Sequence, residues 1–298
     1  MTREQNAIIK DLQEGIDNFP AQLASGTMRT QREAFDRIIG SLSRFALNPD
    51  GSVITSTANF GQIETIINDL RAAYLSPKYR EFLREYLEGY DLMAELTIRL
   101  FDTYGITPNI TEAANAILAN AKTNATRLLT QGAVDTALPS FREILNNAVA
   151  RSEKFTDVIR NVRQNIEGSE DFQGRMERYA KQNAKDIFAV GHAQYMTAVG
   201  DAMGFEFYEY AGVNTLDSRE FCLHRKGKVY HTEEIRQWAT LDWDGKNRAT
   251  TADTIFSLRG GYNCNHLLVP IATALVPNDV LTRARRKGYI SDDEPATA

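Results

Sequence analysis

Residues 217–231, DSREFCLHRKGKVYH, and residues 259–271, RGGYNCNHLLVPI, decide how this chain is read. They hold both cysteines, Cys222 and Cys264, and three of the four histidines, His224, His231 and His266. Each segment carries a Cys-x-His pair, Cys222/His224 and Cys264/His266. On an extended backbone, residues i and i+2 point to the same side, so each pair would present a sulfur and a nitrogen together. Two such pairs make a set of two sulfurs and two nitrogens suited to tetrahedral zinc. Three readings stay open on the residues alone. One is a zinc site on Cys222, His224, Cys264 and His266. Another is metal-free packing of two buried thiols and two hydrogen-bonded imidazoles. The third is a Cys222–Cys264 disulfide, which a reducing cytoplasm disfavours. His192 and His231 read as ordinary packed or surface residues.

Around these segments the pattern is that of a small α+β module. FEFYEYAGV (205–213) sets Phe205 and Phe207 against Tyr208 and Tyr210, which predicts a strand buried on both faces. KGKVYH (226–231) predicts a turn and short strand, TEEIRQWA (232–239) a helix capped by Thr232, and HLLVPIA (266–272) a second apolar strand. Residues 240–256 are polar and loop-like. The sequence ends in a short basic helix and an acidic tail expected to be flexible.

Upstream the spacing is helical. Ile8, Ile9, Leu12 and Ile16 form one stripe that Pro20 is expected to end or bend, and Phe35, Ile38, Ile39, Leu42 and Phe45 form another. Val53 and Ile54 suggest a short edge strand. Ile63, Ile66, Ile67, Leu70 and Tyr74 make a third stripe. Ser76-Pro77 starts the next helix as cap and first residue, and Gly105 stops it. An alanine-rich helix follows Thr111, TQGAVDTALPS (130–140) reads as a linker or break, and a long helix over about 170–200 carries Phe172, Met176, Tyr179, Ile187, Val190 and Met196. The fold class expected is mainly α with a small C-terminal α+β domain. The expected divisions are a helical domain over 1–168, a compact Cys/His-pinned domain over 169–275, and a basic helix with tail over 276–298.

Bulk properties narrow the function classes. A net charge of -5 argues against a wholesale nucleic-acid coat. Two cysteines in 298 residues exclude a disulfide-stapled scaffold. Neither a secretory signal nor a membrane-spanning apolar run is visible, so the expected setting is a cytoplasm. Arg219, Arg225, Lys226 and Lys228 surround the first Cys-x-His pair, and Arg283, Arg285, Arg286 and Lys287 form a second basic cluster. Either could touch DNA phosphates without sequence preference or be a solvated face. A catalytic reading would use cysteine with histidine, or His224, Asn263 and His266 around a metal, with Asp217 and Glu220 as carboxylate partners. No phosphate loop, HExxH or Gly-x-Ser-x-Gly accompanies them, so no catalytic residue is assigned.

The order Asp217, Arg219, Cys222, Gly227, then Gly260, Gly261, Asn263, Cys264, His266 and Pro270 resembles the C-terminal domain of the phage Mu F-like minor head proteins, the head-morphogenesis family, over about residues 175–272. Asn265 stands where that family usually carries arginine, so a role for that arginine does not transfer. The resemblance implies a virion structural protein inside the phage head near the portal vertex, assembled in the host cytoplasm. Its implied partners are the portal protein ring, other head proteins and the packaged DNA, with a role in head assembly, packaging or ejection. The helical part is the expected portal-docking region. The alternatives are a metal-dependent nuclease or toxin-type enzyme using the Cys/His cluster, since the family's domain also occurs joined to toxins, and a free DNA-binding packaging factor. No further domain is visible after residue 275, which favours the structural reading.

Overall fold

The computed structural model describes residues 2–107, 111–168, 173–216 and 218–291. Phe172, Asp217 and the end of the acidic tail lie outside the described residues. In chain order the helices are α1 (Arg3–Leu42), α2 (Thr57–Tyr74), α3 (Pro77–Asp102), α4 (Glu112–Arg127), α5 (Ala133–Ala150), α6 (Phe155–Ile166) and α7 (Arg175–Ala202). After them come β1 (Phe207–Ala211), α8 (Glu220–Leu223), β2 (Val229–His231), α9 (Thr232–Gln237), α10 (Ile255–Leu258), β3 (Leu267–Ile271) and α11 (Asn278–Arg286). The protein is mainly α, with a small α+β region near the C-terminus. Among the described residues no helix is long and apolar enough to cross a membrane.

The chain forms two compact units, one of Met1–Asn18, Glu88–Thr123 and Lys185–Ala298, the other of Phe19–Leu87 and Asn124–Ala184. The division expected near residue 168 is not among these boundaries. Each of them falls inside a helix (α1, α3, α4 or α7), where the apolar stripe continues without a change of composition.

In the unit of Phe19–Leu87 and Asn124–Ala184, Ile63, Ile66, Ile67, Leu70 and Tyr74 are all buried, as their spacing predicts. Helix α2 packs on α5, and α5 on α6, whose Val158, Val162 and Ile166 face inward. Ser56 caps α2 by accepting from Asn59 N at 3.2 Å, and Ser76 caps α3 by accepting from Tyr79 N at 3.3 Å. Caps of this kind contribute about 1 kcal/mol each. Val53 and Ile54 form no strand among the described residues; Val53 makes a lone antiparallel bridge with Leu47.

Pro20, expected to end or bend its helix, does not end it. It lies inside α1, which continues for 40 residues. Proline removes one helical donor and crowds the carbonyl four residues earlier. Buried Ile16 before it and Leu23 and Ala24 after it supply packing that overrides this local cost. Pro139 likewise lies inside α5, between buried Leu138 and Phe141. Residues 130–140 are helical rather than a linker, because α4 passes into α5 through a π-helical turn, Leu128–Gly132. Such a turn disturbs the regular ladder. The hydroxyl of Tyr79 donates to the Leu129 carbonyl there.

In the unit that carries the Cys/His segments, Tyr90 donates to the Ile187 carbonyl at 3.1 Å and its ring lies 4.4 Å from that of Phe188. These contacts join the second half of α3 to α7. The sheet is antiparallel throughout, ordered β2-β1-β3, with Phe207 opposite His231 and Ile271, and Tyr210 opposite Leu268. A central strand is covered on both faces, which accounts for the burial of Phe207, Tyr208 and Tyr210 alike. Helix α11 covers the Phe207 face through Val280, Leu281 and Ala284. The Tyr208–Tyr210 face receives Phe221, Cys222, Trp238, Phe256 and Cys264. The cap of α9 is His231, not Thr232: its Nδ1 accepts from Glu233 N at 3.1 Å while the Glu234 carboxylate accepts from His231 N at 3.2 Å.

Candidate metal centre

The site is built around the end of β1. Tyr210, fully buried, points its hydroxyl between the two thiols, 3.2 Å from Cys222 Sγ as donor and 3.9 Å from Cys264 Sγ. Helix α8 brings in Cys222. The turn before β3 brings in Cys264 and His266. The thiols lie 3.9 Å apart as free cysteines, so the disulfide reading does not describe this structure. His266 Nδ1 is 3.8 Å from Cys264 Sγ, and its ring stacks on Tyr210 at 5.2 Å. The ligand atoms of Cys222, Cys264 and His266 lie within 4.8 Å of one another, so the three can hold a metal ion.

His224 is not part of this set. It is exposed and follows α8 as its C-cap. The same-side argument needs extended backbone, but Cys222 to His224 is helical, where residues two apart point to different faces. The second pair behaves as expected: Cys264 and His266 face the same way, and the His266 N–H points at Cys264 Sγ at 3.4 Å.

The glycines and the arginine of the motif hold these segments together. Arg219 donates to the Gly260 carbonyl at 3.1 Å and the Tyr262 carbonyl at 2.8 Å. A methyl on Gly260 would sit 2.1 Å from Cys264 Sγ and 3.1 Å from Cys222 Sγ. Gly261 has φ +81°, and Asn263 has φ +54° with its N–H on the Asp186 carboxylate at 2.6 Å. Burial raises the Asp186 pKa, against that hydrogen bond. Gly227 lies in the turn into β2 and donates its N–H to the Tyr210 carbonyl at 2.8 Å.

Three members of the site were not singled out from the sequence. Arg259 is 2% exposed, donates from Nε to the His266 carbonyl at 2.5 Å and from Nη1 to the Ser257 carbonyl at 3.1 Å, and has Nη2 without a hydrogen-bond partner. Its only sequence signal is adjacency to Gly260-Gly261. Asn214 Oδ1 lies 3.1 Å from His266 Nε2, which makes Nε2 the donor there and turns Nδ1 toward the sulfurs. Nothing in the sequence marks it. Tyr210 is visible only as a strand aromatic. In the thiol pair, Cys222 keeps its proton and donates to Cys264. That hydrogen bond pushes the Cys264 pKa well down, helped by His266 and Arg259, and pushes Cys222 up.

The basic residues divide. Arg225 stacks its guanidinium 3.7 Å from the Phe221 ring centroid and 4.7 Å from that of Trp238, and donates to the Phe221 carbonyl. Arg283 and Lys287 hold the Glu234 carboxylate, at 2.9 and 2.8 Å. Lys226, Lys228 and Arg286 are exposed, and Arg285 is half-buried. The two clusters are thus partly structural. No protein-family model, curated protein or solved structure matches this chain.

Proposed function

We propose that the protein is a structural component of a phage head, lodged inside the capsid near the portal vertex and acting in head assembly and in genome packaging or ejection. The observation that carries this reading is how the motif residues are employed. Arg219, Gly260, Gly261, Asn263 and Cys264 are spent on closing two segments over β1. That is the work of a fold signature, which is what the head-morphogenesis resemblance rests on. The portal ring is the proposed partner, with packaged DNA and other head proteins as further contacts. The test is to follow the full-length tagged chain through phage assembly. It should co-purify with portal rings, procapsids and mature virions. A chain that stays free of all three overturns the reading, and so does divalent-metal-dependent DNA cleavage lost in His266→Ala, which would favour a nuclease.

Zinc is the metal we assign to the Cys222/Cys264/His266 cluster. Zn–S bonds of about 2.3 Å at a tetrahedral angle put two sulfurs roughly 3.8 Å apart. The 3.9 Å between Cys222 and Cys264 and the 3.8 Å from Cys264 Sγ to His266 Nδ1 fit that spacing. Thiolate and imidazole together select a borderline-soft ion over magnesium or calcium. Bound there, zinc would tie α8 to the β3 turn. Elemental analysis of purified protein tests this: one zinc per chain is expected, and its absence removes the assignment.

A further inference from the structure

We propose that Cys222, Cys264 and His266 are the metal's three ligands among the described residues and that its fourth position opens on a cleft, where it takes an exchangeable small anion of the carboxylate type. The proposal rests on the zinc reading above and goes beyond it.

The geometry points this way from two sides. On the core side the three ligands are closed off by Tyr210, which is fully buried and donates to Cys222 Sγ. On the other side a cleft of about 230 Å³ is lined by Cys222, Cys264 and His266 themselves, together with Lys185, Arg219 and Ser218. A closed structural zinc site has four protein ligands and no such opening, whereas three ligands beside a cleft leave one position for water or a small molecule. Among the described residues no further cysteine, histidine or carboxylate joins the cluster, and His224 is turned away from it.

The lining also selects the ligand's charge. Lys185 and Arg219 are cationic, and among the described residues no carboxylate lines the cleft. Lys185 is paired with Asp17 at 2.5 Å, while Arg219 spends two of its donors on backbone carbonyls, which fixes its guanidinium at the wall. Arg259 adds a third positive charge, buried behind the β3 turn. The volume is below the range of drug-sized pockets and suits a carboxylate with a few waters.

The test uses full-length protein loaded with cobalt(II) in place of zinc, whose visible absorption reports coordination. Titration with azide or acetate should shift the spectrum saturably, with cobalt content constant. Lys185→Gln should weaken the anions about threefold to tenfold, the effect of losing one partly exposed charge, and leave cobalt content unchanged. If no stoichiometric cobalt binds, the metal reading fails and takes this proposal with it. If cobalt binds with thiolate bands but no anion alters them, the metal reading stands and the open position is refuted. A shift with neutral imidazole but not with either anion refutes the charge selection.

Discussion

Arg259 Nε donates to the carbonyl of His266 at 2.5 Å in a site where the arginine is 2% exposed. A guanidinium stays charged in proteins, so this cation is buried with carbonyls as its hydrogen-bond acceptors, while Cys264 and the Asp186 carboxylate act on it through charge. Its strongest contact fixes the backbone of a metal-ligand candidate. Arg259→Met leaves the His266 and Ser257 carbonyls without this donor. The expected loss is roughly 2–4 kcal/mol of unfolding free energy, since hydrogen bonds to charged groups are worth about 1.5–3 kcal/mol. Arg259→Lys should recover only part of it, because one ammonium cannot reproduce the two-pronged geometry. Urea denaturation of both variants measures this, and an unchanged midpoint for Arg259→Met would refute it.

Gly261 offers a sharper backbone test. At φ +81°, a side chain is strained, and its first carbon would lie 2.0 Å from the Gly245 carbonyl oxygen. Left-handed strain costs about 1–2 kcal/mol, and a backbone clash adds to it. Gly261→Ala should therefore cost at least about 2 kcal/mol and weaken metal binding by displacing Cys264. Gly51 has φ +80° but open space around it, so Gly51→Ala should cost only the conformational part. Equal effects at the two positions would show that close approach does not matter at Gly261.

What the sequence reveals follows from what periodicity can encode. The stripe Ile63–Tyr74, the Ser76-Pro77 start and the doubly buried strand around Tyr208 are local patterns, and each is found where its spacing predicts. Pro20 misleads as a helix end because burial on both sides of it outweighs a local penalty that the sequence shows in isolation, and residues 130–140 mislead because a π-helical turn carries α4 into α5. At the site, the Cys264/His266 pair follows the period-two argument, while Cys222/His224 fails it because four residues there are helical. Asn214 is brought to the cluster by tertiary folding alone, whereas Arg259 stands in the same segment as Cys264 and His266 with no spacing that marks its role. No spacing rule reaches from Asn214 to His266.

The metal ligands should separate cleanly by mutation. Cys222→Ser, Cys264→Ser and His266→Ala each remove a member of the set within 4.8 Å, and each should lose most bound zinc. His224→Ala should retain it, since His224 is exposed beyond α8. Stripping metal with a chelator should lower the thermal midpoint of the native chain but not of His266→Ala. Zinc content that falls equally in His224→Ala would reinstate the four-residue set.

The interleaved units make a prediction about truncation. Removing residues 1–165 deletes Met1–Asn18 and Glu88–Thr123, which belong to the same unit as the Cys/His segments. It uncovers the fully buried Phe188, whose ring packs on Tyr90, and strips the Thr97 contact from His192. The fragment 166–298 should be aggregation-prone or lack fixed side-chain packing, visible as lost near-ultraviolet circular dichroism. A soluble fragment with native dispersion would show that residues 166–298 fold alone.

His192 gives the pH dependence. Its Nε2 lies 3.1 Å from the Thr97 hydroxyl, which itself donates to the Met93 carbonyl at 2.8 Å. Thr97 is therefore the acceptor and His192 carries its proton on Nε2, with Nδ1 buried and bare. Burial first, and Arg259 second, push the imidazole down to about 3 from an ordinary 6.5. Between those values the unfolded chain binds a proton that the folded chain refuses. The folded state keeps its full advantage above pH ~6.5 and loses it on acidification, at up to about 1.4 kcal/mol per pH unit from this group. His192→Gln keeps a donor for Thr97 and cannot titrate, so its stability should fall less steeply between pH 6.5 and 4.5. Urea midpoints at several pH values distinguish the two, and parallel slopes would mean that His192 takes up its proton without unfolding.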